Sequence, residues 1–431
     1  MKALEREAGT HLHLPNLNCA MARNVQPSWA KESIIHRLQF VRHLRHEIAT
    51  HAHDLAGAAA AVAGRPVAEK LISEVLPLAD ACRWLEKNAA RVLADQYHNR
   101  KGRPVWLRGV SFCVHRQPLG LVLIIGPANY PLFLPAVQAL HALVAGNAVL
   151  LKPAPLTREA ASMFAQFAKL SGLDSRLLSV LPEDISAARA CLVAGVDKVV
   201  FTGSSENGRI VLEQLAASNT PSVMELSGAD AMVVLKDADL DLVVSALHFG
   251  TQWNGGDTCI APRRLLAHEA IAQRLRDRLS DPILNHFTVE EFFEENDAVE
   301  FVSGGKFGLG VSIFSRDQRR AAALGERMQT GFVTVNDLIA PTADPRMPFG
   351  GLRGSGFGVT RGAEGLLEMT HPHVVATRRG KSRAHLQPLT GSDSDLFSAY
   401  ISAAHSAKFA TRWRAARRIV QLLMIRKRKI K

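Results

Sequence analysis

QPLGLVLIIGPANYPLFLPAVQALHALVAGNAVLLKP, residues Gln117 to Pro153, sets two short apolar runs on either side of one longer helical pattern. Gln117 to Pro127 reads as a buried strand, and the stretch from Tyr130 reads as a helix that Gly146 and Asn147 end. AVLLKP, from Ala148, is a second strand. The alternation then continues through the helix TREAASMFAQFAKLSG, with a Thr cap and a closing Gly172, and through LLSVLP, AARACLVAG, KVVFTG and SENGRIVLEQLAAS. PSVMELSG closes it as a fifth strand. Strands alternating with helices over this length predict a doubly wound parallel sheet with helices on both faces. Upstream, IIHRLQFVRHL and EVLPLADACRWLEKNAARVL carry apolar residues at three- and four-residue spacing and predict amphipathic helices packed on that sheet.

The chain has 431 residues, 47% apolar and 21% charged, which is globular usage and enough for at least two packed units. Gly126, Asn129 and His141 interrupt the longest apolar stretch, so it falls short of the ~18 uninterrupted residues of a membrane span. The opening residues lack an apolar core and carry acids, which predicts a cytoplasmic protein without a cleaved leader. Five cysteines, Cys19, Cys82, Cys113, Cys191 and Cys259, form no CxxC pair, and neither disulfides nor a metal is expected from them. The net charge of +12 is concentrated: Lys408 to Lys431 holds ten Lys and Arg and no acid, leaving +2 for everything before it.

Ligands bind a doubly wound sheet at the carboxyl ends of its strands. Three loops there carry unusual residues: Pro127-Ala128-Asn129-Tyr130-Pro131, Lys152-Pro153-Ala154-Pro155, and Phe201 to Gly208. Each taken alone reads as structural more often than as functional: a turn residue, a solvated charge or a chain reversal. Their order, followed by MELSG at Met224 and NGGDTCIAPRR at Asn254, resembles the NAD(P)-dependent aldehyde dehydrogenase superfamily. PANYP is similar to that family's P-W-N-x-P loop, AGNAVLLKP to A-G-N-x-V-x-x-K-P, and VVFTGSSENG to F-T-G-S-x-x-x-G. MELSG resembles E-L-G-G and NGGDTC the N-x-G-Q-x-C nucleophile loop. GFVTVN and PFGGLRGSGFG match two later segments, so the resemblance runs from about Trp29 to Arg379.

The resemblance implies an α/β, aldehyde dehydrogenase-like fold: a doubly wound cofactor domain, an α/β catalytic domain and a small bridging β segment. The expected boundaries are an N-terminal extension over 1–28, the NAD(P)-binding domain over 29–226 with a bridging strand near 108–117, and a shortened catalytic domain over 227–369. A bridging, oligomerising strand over 370–380 and a basic tail over 381–431 complete the chain. VSFCVHR (Val110 to Arg116) and HVVATRR (His373 to Arg379) would form the bridge, and homo-oligomers are expected.

The implied chemistry is oxidation of an aldehyde to its acid with NAD or NADP. Cys259 is the candidate nucleophile, because a thiolate added to the carbonyl supplies the electron pair that expels hydride. The Asn129 amide and the Cys259 backbone N–H would steady the alkoxide, and Glu225 would activate water to release the thioester. Lys152 and Ser204 would meet the ribose or phosphates of the cofactor, with Gly203 and Gly208 shaping the turn. Pro155 stands where NAD-preferring relatives often place a glutamate, so NADP is not repelled there. The retained Glu225 points to free acid rather than a coenzyme A thioester as product.

Three departures qualify the match. Ala128 replaces the loop tryptophan, Ser227 the second glycine of E-L-G-G, and Asp257 the glutamine beside the nucleophile. An acid so near would raise the thiol pKa unless Arg263 or Arg264 offsets it. Only 48 residues separate Cys259 from Phe307, and no E-x-F-G-P-V segment is recognisable, with Glu290, Glu291 and Phe292 as its candidate remnant. Loss of part of the catalytic domain would expose core unless its neighbours rearrange. A second reading therefore stands beside the enzyme: a catalytically impaired relative serving as a nucleotide-binding or scaffold protein. In the tail, Phe409, Trp413, Ala416, Val420 and Leu423 recur at helical spacing among arginines, a pattern suited equally to peripheral contact with an anionic membrane surface and to a solvated tail or a helix packed on the body. Specific nucleic-acid binding is not expected from it.

Overall fold

The computed structural model describes residues 2–61, 64–380, 384–386, 388–389 and 391–429, with side chains from residue 15 onward except 384, 392 and 425–429. The chain separates into two units, Met1–Tyr97 with Cys113–Val375, and His98–Phe112 with Ala376–Lys431.

The five parallel strands expected from the sequence are present in the first unit as Leu121–Ile125, Ala148–Lys152, Leu178–Val180, Lys198–Thr202 and Ser222–Glu225. From Leu121–Ile125 the sheet grows first through the second strand to the third, and then on its other side through the fourth to the fifth. The switch point lies between Leu121–Ile125 and Lys198–Thr202, where the loops after both strands leave the sheet together. Every residue of Leu121–Ile125, Ala148–Lys152 and Lys198–Thr202 is buried, as strands covered on both faces require. A sixth strand, Gly356–Phe357, comes from the GSGFG segment and pairs antiparallel with the fifth, Gly356 opposite Glu225. Only glycine fits at position 356: its φ is +102°, and a Cβ would lie 1.9 Å from the Met224 carbonyl oxygen.

The helix Phe133–Ala145 ends as the sequence predicts, at Gly146 with φ 99°. Thr157 differs from expectation. Its hydroxyl donates to the Ala154 carbonyl (2.8 Å), and it is the Glu183 carboxylate that accepts from the Arg158 N–H (2.8 Å) at the helix start. The N-terminal residues form one helix, Lys2–Lys31, that runs through residue 28 without a break. It is fastened to the sheet domain by Trp29 Nε1 donating to the Leu143 carbonyl (2.8 Å) and by Arg23 paired with Asp197 (2.9 Å).

The second sheet is wholly parallel, in the order Val289–Phe292, Pro262–His268, Asp230–Val234, Gly310–Phe314, Phe332–Val335. Apolar clusters cover both its faces. The shortened stretch after Cys259 is sealed rather than open, because Leu279, Leu284 and Phe292 are buried. Glu290 and Glu291 lie on the outer strand of this sheet, with Glu291 paired to Arg276 (2.6 Å), and neither lines a cavity of the site described below. They are edge-strand residues rather than a remnant of a cofactor-holding motif.

In the second unit, Arg379 N–H donates to the Gly109 carbonyl (2.9 Å), and the hydroxyls of Ser111 and Thr377 lie 3.1 Å apart. Strands Val110–Pro118 and Thr370–Arg378 occur where the bridging segments were expected. Two helices, Gly391–His405 and Phe409–Lys429, pack on each other as a hairpin. No described helix is long and apolar enough to cross a membrane.

Candidate active site

Cys259 sits in the connection between the helix Leu240–Gln252 and the strand Pro262–His268. Asn254, Gly255 and Gly256 all have positive φ (49°, 65° and 75°), which reverses the chain within three residues. Asparagine and glycine are the residues that enter this region at least strain, so NGG is dictated by the turn.

That turn is held from below by a charge the sequence analysis missed. Lys70 is 1% exposed, and its ammonium donates to Asn254 Oδ1 (2.9 Å) and to the Asn129 carbonyl (3.3 Å). Its counter-ion is Glu74, one helical turn on and fully buried, with Oε1 at 2.9 Å in ion-pair contact but outside hydrogen-bond alignment. Glu74 Oε2 accepts from the backbone N–H of Leu132 (2.7 Å) and Phe133 (3.1 Å), at the start of the helix Phe133–Ala145. A carboxylate there meets the positive end of the helix dipole. Asn254 Nδ2 also donates to the Asn129 carbonyl (2.9 Å), Asn129 Nδ2 to the Asp257 carbonyl (2.7 Å), and the hydroxyls of Tyr130 and Thr258 lie 2.7 Å apart. The PANYP loop and the cysteine loop are therefore one bonded assembly. One amide hydrogen of Asn129 is committed within it, and the side chain remains in the cavity wall beside Cys259.

Three adjoining cavities meet here. One of about 380 Å³ is apolar, walled by Phe133, Phe249, Trp253, Ile260, Ile339 and Phe349 among others. Ile72, Leu76 and Asp80, four residues apart and exposed, line it as well. A second, about 530 Å³, has Asn129, Gly203, Ser227 and Arg263 in its wall. A third, about 330 Å³, lies at the switch point, lined by Lys152, Pro155, Arg189, Gly203, Asn207 and neighbours. Cys259, Glu225 and Thr258 line both the first and the second. Pro127, Ala128, Thr202 and Gly203 line both the second and the third. The series thus runs from the sheet's switch point, past the thiol and the carboxylate, into an apolar chamber.

The electrostatics differ from the sequence expectation. Burial, then the carboxylates of Glu225 and Asp230, push the Cys259 thiol up, while the Arg361 guanidinium pulls it down. Asp257 is exposed and is not among the groups that act on the thiol. Arg263 and Arg264 do not offset it either: Arg263 donates to the Gly256 carbonyl (2.6 Å), and Arg264 donates to the Ala229 carbonyl (2.8 Å) over the Phe301 ring. The cation that serves the thiol is Arg361, 5% exposed, at the wall of the apolar chamber. It lies over the rings of Phe349 (4.4 Å) and Phe133 (5.7 Å) and donates to the Thr342 carbonyl. Its position follows the GSGFG segment, but nothing in the local sequence marks it as buried.

Glu225 ends the fifth strand and is 3% exposed. Burial pushes its carboxyl up to about 7, against the opposing pulls of Arg361 and Thr202. The Thr202 hydroxyl accepts from Gln138 Nε2 (3.1 Å), which leaves its own hydrogen for the Glu225 carboxyl beside it, although among the described residues neither Glu225 oxygen has a partner in full hydrogen-bond alignment. A buried carboxyl with neither oxygen aligned to a hydrogen-bond partner, in a wall shared with the thiol, suits a group that exchanges protons with substrate or water. Ser355 fixes the strand end: its hydroxyl donates to the Ser227 carbonyl (2.9 Å), and its carbonyl accepts from Leu226 N–H (3.1 Å).

Of the expected cofactor residues, Lys152, Pro155 and Gly203 line the switch-point cavity. Ser204 does not: its hydroxyl caps the helix Ser205–Ala216 by accepting from Asn207 N–H (3.2 Å), and Asn207 is the wall residue. Gly208 is a packing glycine, since a Cβ there would lie 2.5 Å from Leu226 Cδ2. Away from these cavities, ligand atoms of Asp95, Cys113 and His115 lie within 4.8 Å of one another, and the Asp95–His115 contact (2.9 Å) reads as an ion pair. The sequence analysis overlooked this proximity of Cys113 to a histidine two residues on.

The chain belongs to the aldehyde dehydrogenase family, whose description matches residues 16–286 and 282–375 in two pieces. It is 26% identical over 388 residues to 4,4'-diapolycopene aldehyde oxidase of a Methylomonas species, an alignment covering 74% of this chain and 73% of that one. It is 28% identical over 428 residues to a chloroplastic aminoaldehyde dehydrogenase of Arabidopsis thaliana, covering 80% and 84%. The fold is that of the NAD-dependent aldehyde dehydrogenase of Sinorhizobium meliloti, with a TM-score of 0.79, 22% identity, and coverage of 87% and 89%.

The Lys70 clamp gives a direct test. Lys70→Met strands a buried carboxylate and is expected to lower stability by about 3–5 kcal/mol in urea unfolding. The double variant Lys70→Met/Glu74→Gln should lose less than the two single losses combined, a coupling that independent sites would not show.

Proposed function

We propose that the protein oxidises apolar aldehydes to carboxylic acids with NAD+ or NADP+, through a covalent adduct at Cys259. The observation that carries this reading is the shared position of Cys259 and Glu225 between an apolar chamber and a polar cavity that adjoins the sheet's switch point.

The residues fit a dinucleotide. Gly203 lines both the polar and the switch-point cavity, and the Phe201 ring, 2.8 Å from where its Cβ would be, keeps a side chain out of that wall. Lys152 and Arg189 are the charged residues lining that cavity, which suits a phosphate-bearing ligand. When bound, the nicotinamide supplies the hydride acceptor.

The chain's own part begins with a protonated thiol, since burial and two carboxylates hold Cys259 in that form. Glu225, raised to about 7, takes the thiol proton, and the sulfur adds to the aldehyde carbon. Arg361 favours the thiolate across the same chamber. The donors that would steady the new alkoxide are the remaining Asn129 amide hydrogen and the Cys259 N–H. Glu225 passes the thiol proton on to water in the polar cavity; once the thioester has formed it takes a proton from a second water, the hydroxide adds to the thioester carbon, and the C–S bond breaks to release the acid while the sulfur takes the proton held by Glu225.

The chamber selects apolar substrates because its wall offers hydrocarbon to the acyl chain. Burying each CH₂ is worth about 0.8 kcal/mol, so kcat/KM over straight-chain aldehydes should rise roughly fourfold per carbon until the chamber is filled. A flat series would argue against the chamber as the acyl site. Turnover should be absent in Cys259→Ala. In the intact protein it should rise on a limb near pH 7, as Glu225 deprotonates. Loss of that limb in Glu225→Gln, seen in a pH profile of reduced-cofactor formation, identifies the base.

Cofactor choice has its own test. Pro155→Glu places an acid in the wall beside Lys152, and KM for NADP+ should rise at least about tenfold while KM for NAD+ changes little. Equal effects on both would separate Pro155 from the ribose site.

A further inference from the structure

The two units differ sharply in charge. His98–Phe112 with Ala376–Lys431 holds eighteen Lys and Arg against two acids, whereas the larger unit holds 34 against 38. The whole positive balance therefore belongs to the smaller unit, and it is joined there by exposed apolar side chains.

The helix Phe409–Lys429 has two faces. Thr411, Ala415, Ile419 and Leu422 are its covered residues, and the helix packs on Gly391–His405. Phe409, Trp413, Ala416, Val420 and Met424 fall roughly opposite, about 200° around the axis, and stay in solvent. Phe409 is 80% exposed, Trp413 56% and Met424 61%. Arginines flank this stripe: Arg417 lies over the Trp413 ring (5.3 Å), and Arg412 donates to the Ala403 carbonyl (3.1 Å). Arg418 reaches toward Asp395 at 3.9 Å. In the same unit Val105 and Trp106 are exposed in a loop that also carries Arg100, Lys101, Arg103 and Arg108.

An exposed aromatic and aliphatic stripe edged by cations has little to gain from water. It matches a surface that is anionic on the outside and hydrocarbon just beneath. A nucleic acid would use the cations but not the aligned phenylalanine, valine and methionine.

We infer that the basic unit docks the protein on an anionic lipid membrane, with the Phe409–Trp413–Val420–Met424 face of the last helix lying in the interface. The helix lies on the membrane rather than crossing it, in keeping with its arginine content.

The test is co-sedimentation of the full chain with vesicles of phosphatidylcholine alone and of phosphatidylcholine with phosphatidylserine. The intact protein should partition onto the anionic vesicles and be released by salt. Arg414→Gln/Arg417→Gln should weaken partition about 25-fold, at about fivefold per charge, and Phe409→Ser/Trp413→Ser at least about tenfold. Circular dichroism and sedimentation velocity verify that each variant stays folded. No partition of the intact protein overturns the inference, as does equal partition onto neutral vesicles. Full retention by the Phe409→Ser/Trp413→Ser variant would reduce the unit to a general polyanion binder, which a DNA duplex would then compete for. A drop in oligomer size in that variant, with no lipid binding by the intact protein, would assign the face to a second copy of the chain.

Discussion

A single buried ammonium holds the active site in register. Lys70 reaches from the helical layer into the junction of two loops, one after the first strand of the cofactor sheet and one leading into the second sheet. It bonds to a carbonyl of the first and a side-chain oxygen of the second, and Glu74 balances it while capping the next helix. Removing a charge from water is tolerable only when its partners are complete and well placed, so this cluster permits little drift. The positive-φ turn at Asn254 to Gly256 is the form the chain must take to offer Asn254 to that ammonium. Cys259 follows five residues later, on a loop whose start is thereby fixed.

A second buried cation shapes the chemistry instead of the backbone. Arg361 stands against two aromatic rings in a chamber that is otherwise hydrocarbon, facing a carboxyl and a thiol that burial drives toward their neutral forms. In such a medium a fixed cation acts strongly on any negative charge that forms. The three groups are therefore interdependent: the carboxylate raises the thiol, the guanidinium lowers both, and the proton moves between groups whose balance changes as substrate displaces water.

Much of this was legible in the sequence because it rests on local rules. Apolar runs bounded by Gly and Pro located the five parallel strands, and the family motifs in the loops pointed to Asn129, Lys152, Gly203, Glu225 and Cys259, which line adjoining cavities. Lys70, Glu74 and Arg361 were not legible, since a charged residue on an amphipathic helix or in a loop reads as solvated until the far side of its contact is known. Motif order marks Ser204 and Gly208 as cofactor residues; what the structure adds is that the Ser204 hydroxyl caps a helix and that Gly208 admits Leu226. Asp257 was feared as a neighbour of the thiol because two residues seem close along a chain, yet its carboxylate faces solvent while Glu225 and Asp230, distant in sequence, act on the sulfur. The shortened stretch after Cys259 similarly suggested an exposed core, and the structure closes it with Leu279, Leu284 and Phe292.

The central claim is that Cys259 carries the acyl group and Glu225 frees it. The most direct measurement is the intact mass of Glu225→Gln after mixing with oxidised cofactor and a straight-chain aldehyde, followed by peptide mapping. The account predicts one acyl group added per chain, located on Cys259, built up more slowly than the intact protein's first turnover because the thiol has lost its base and retained because its release has lost it too, with one equivalent of reduced cofactor formed as it appears. Steady turnover with no adduct, or an adduct on another residue, would contradict it.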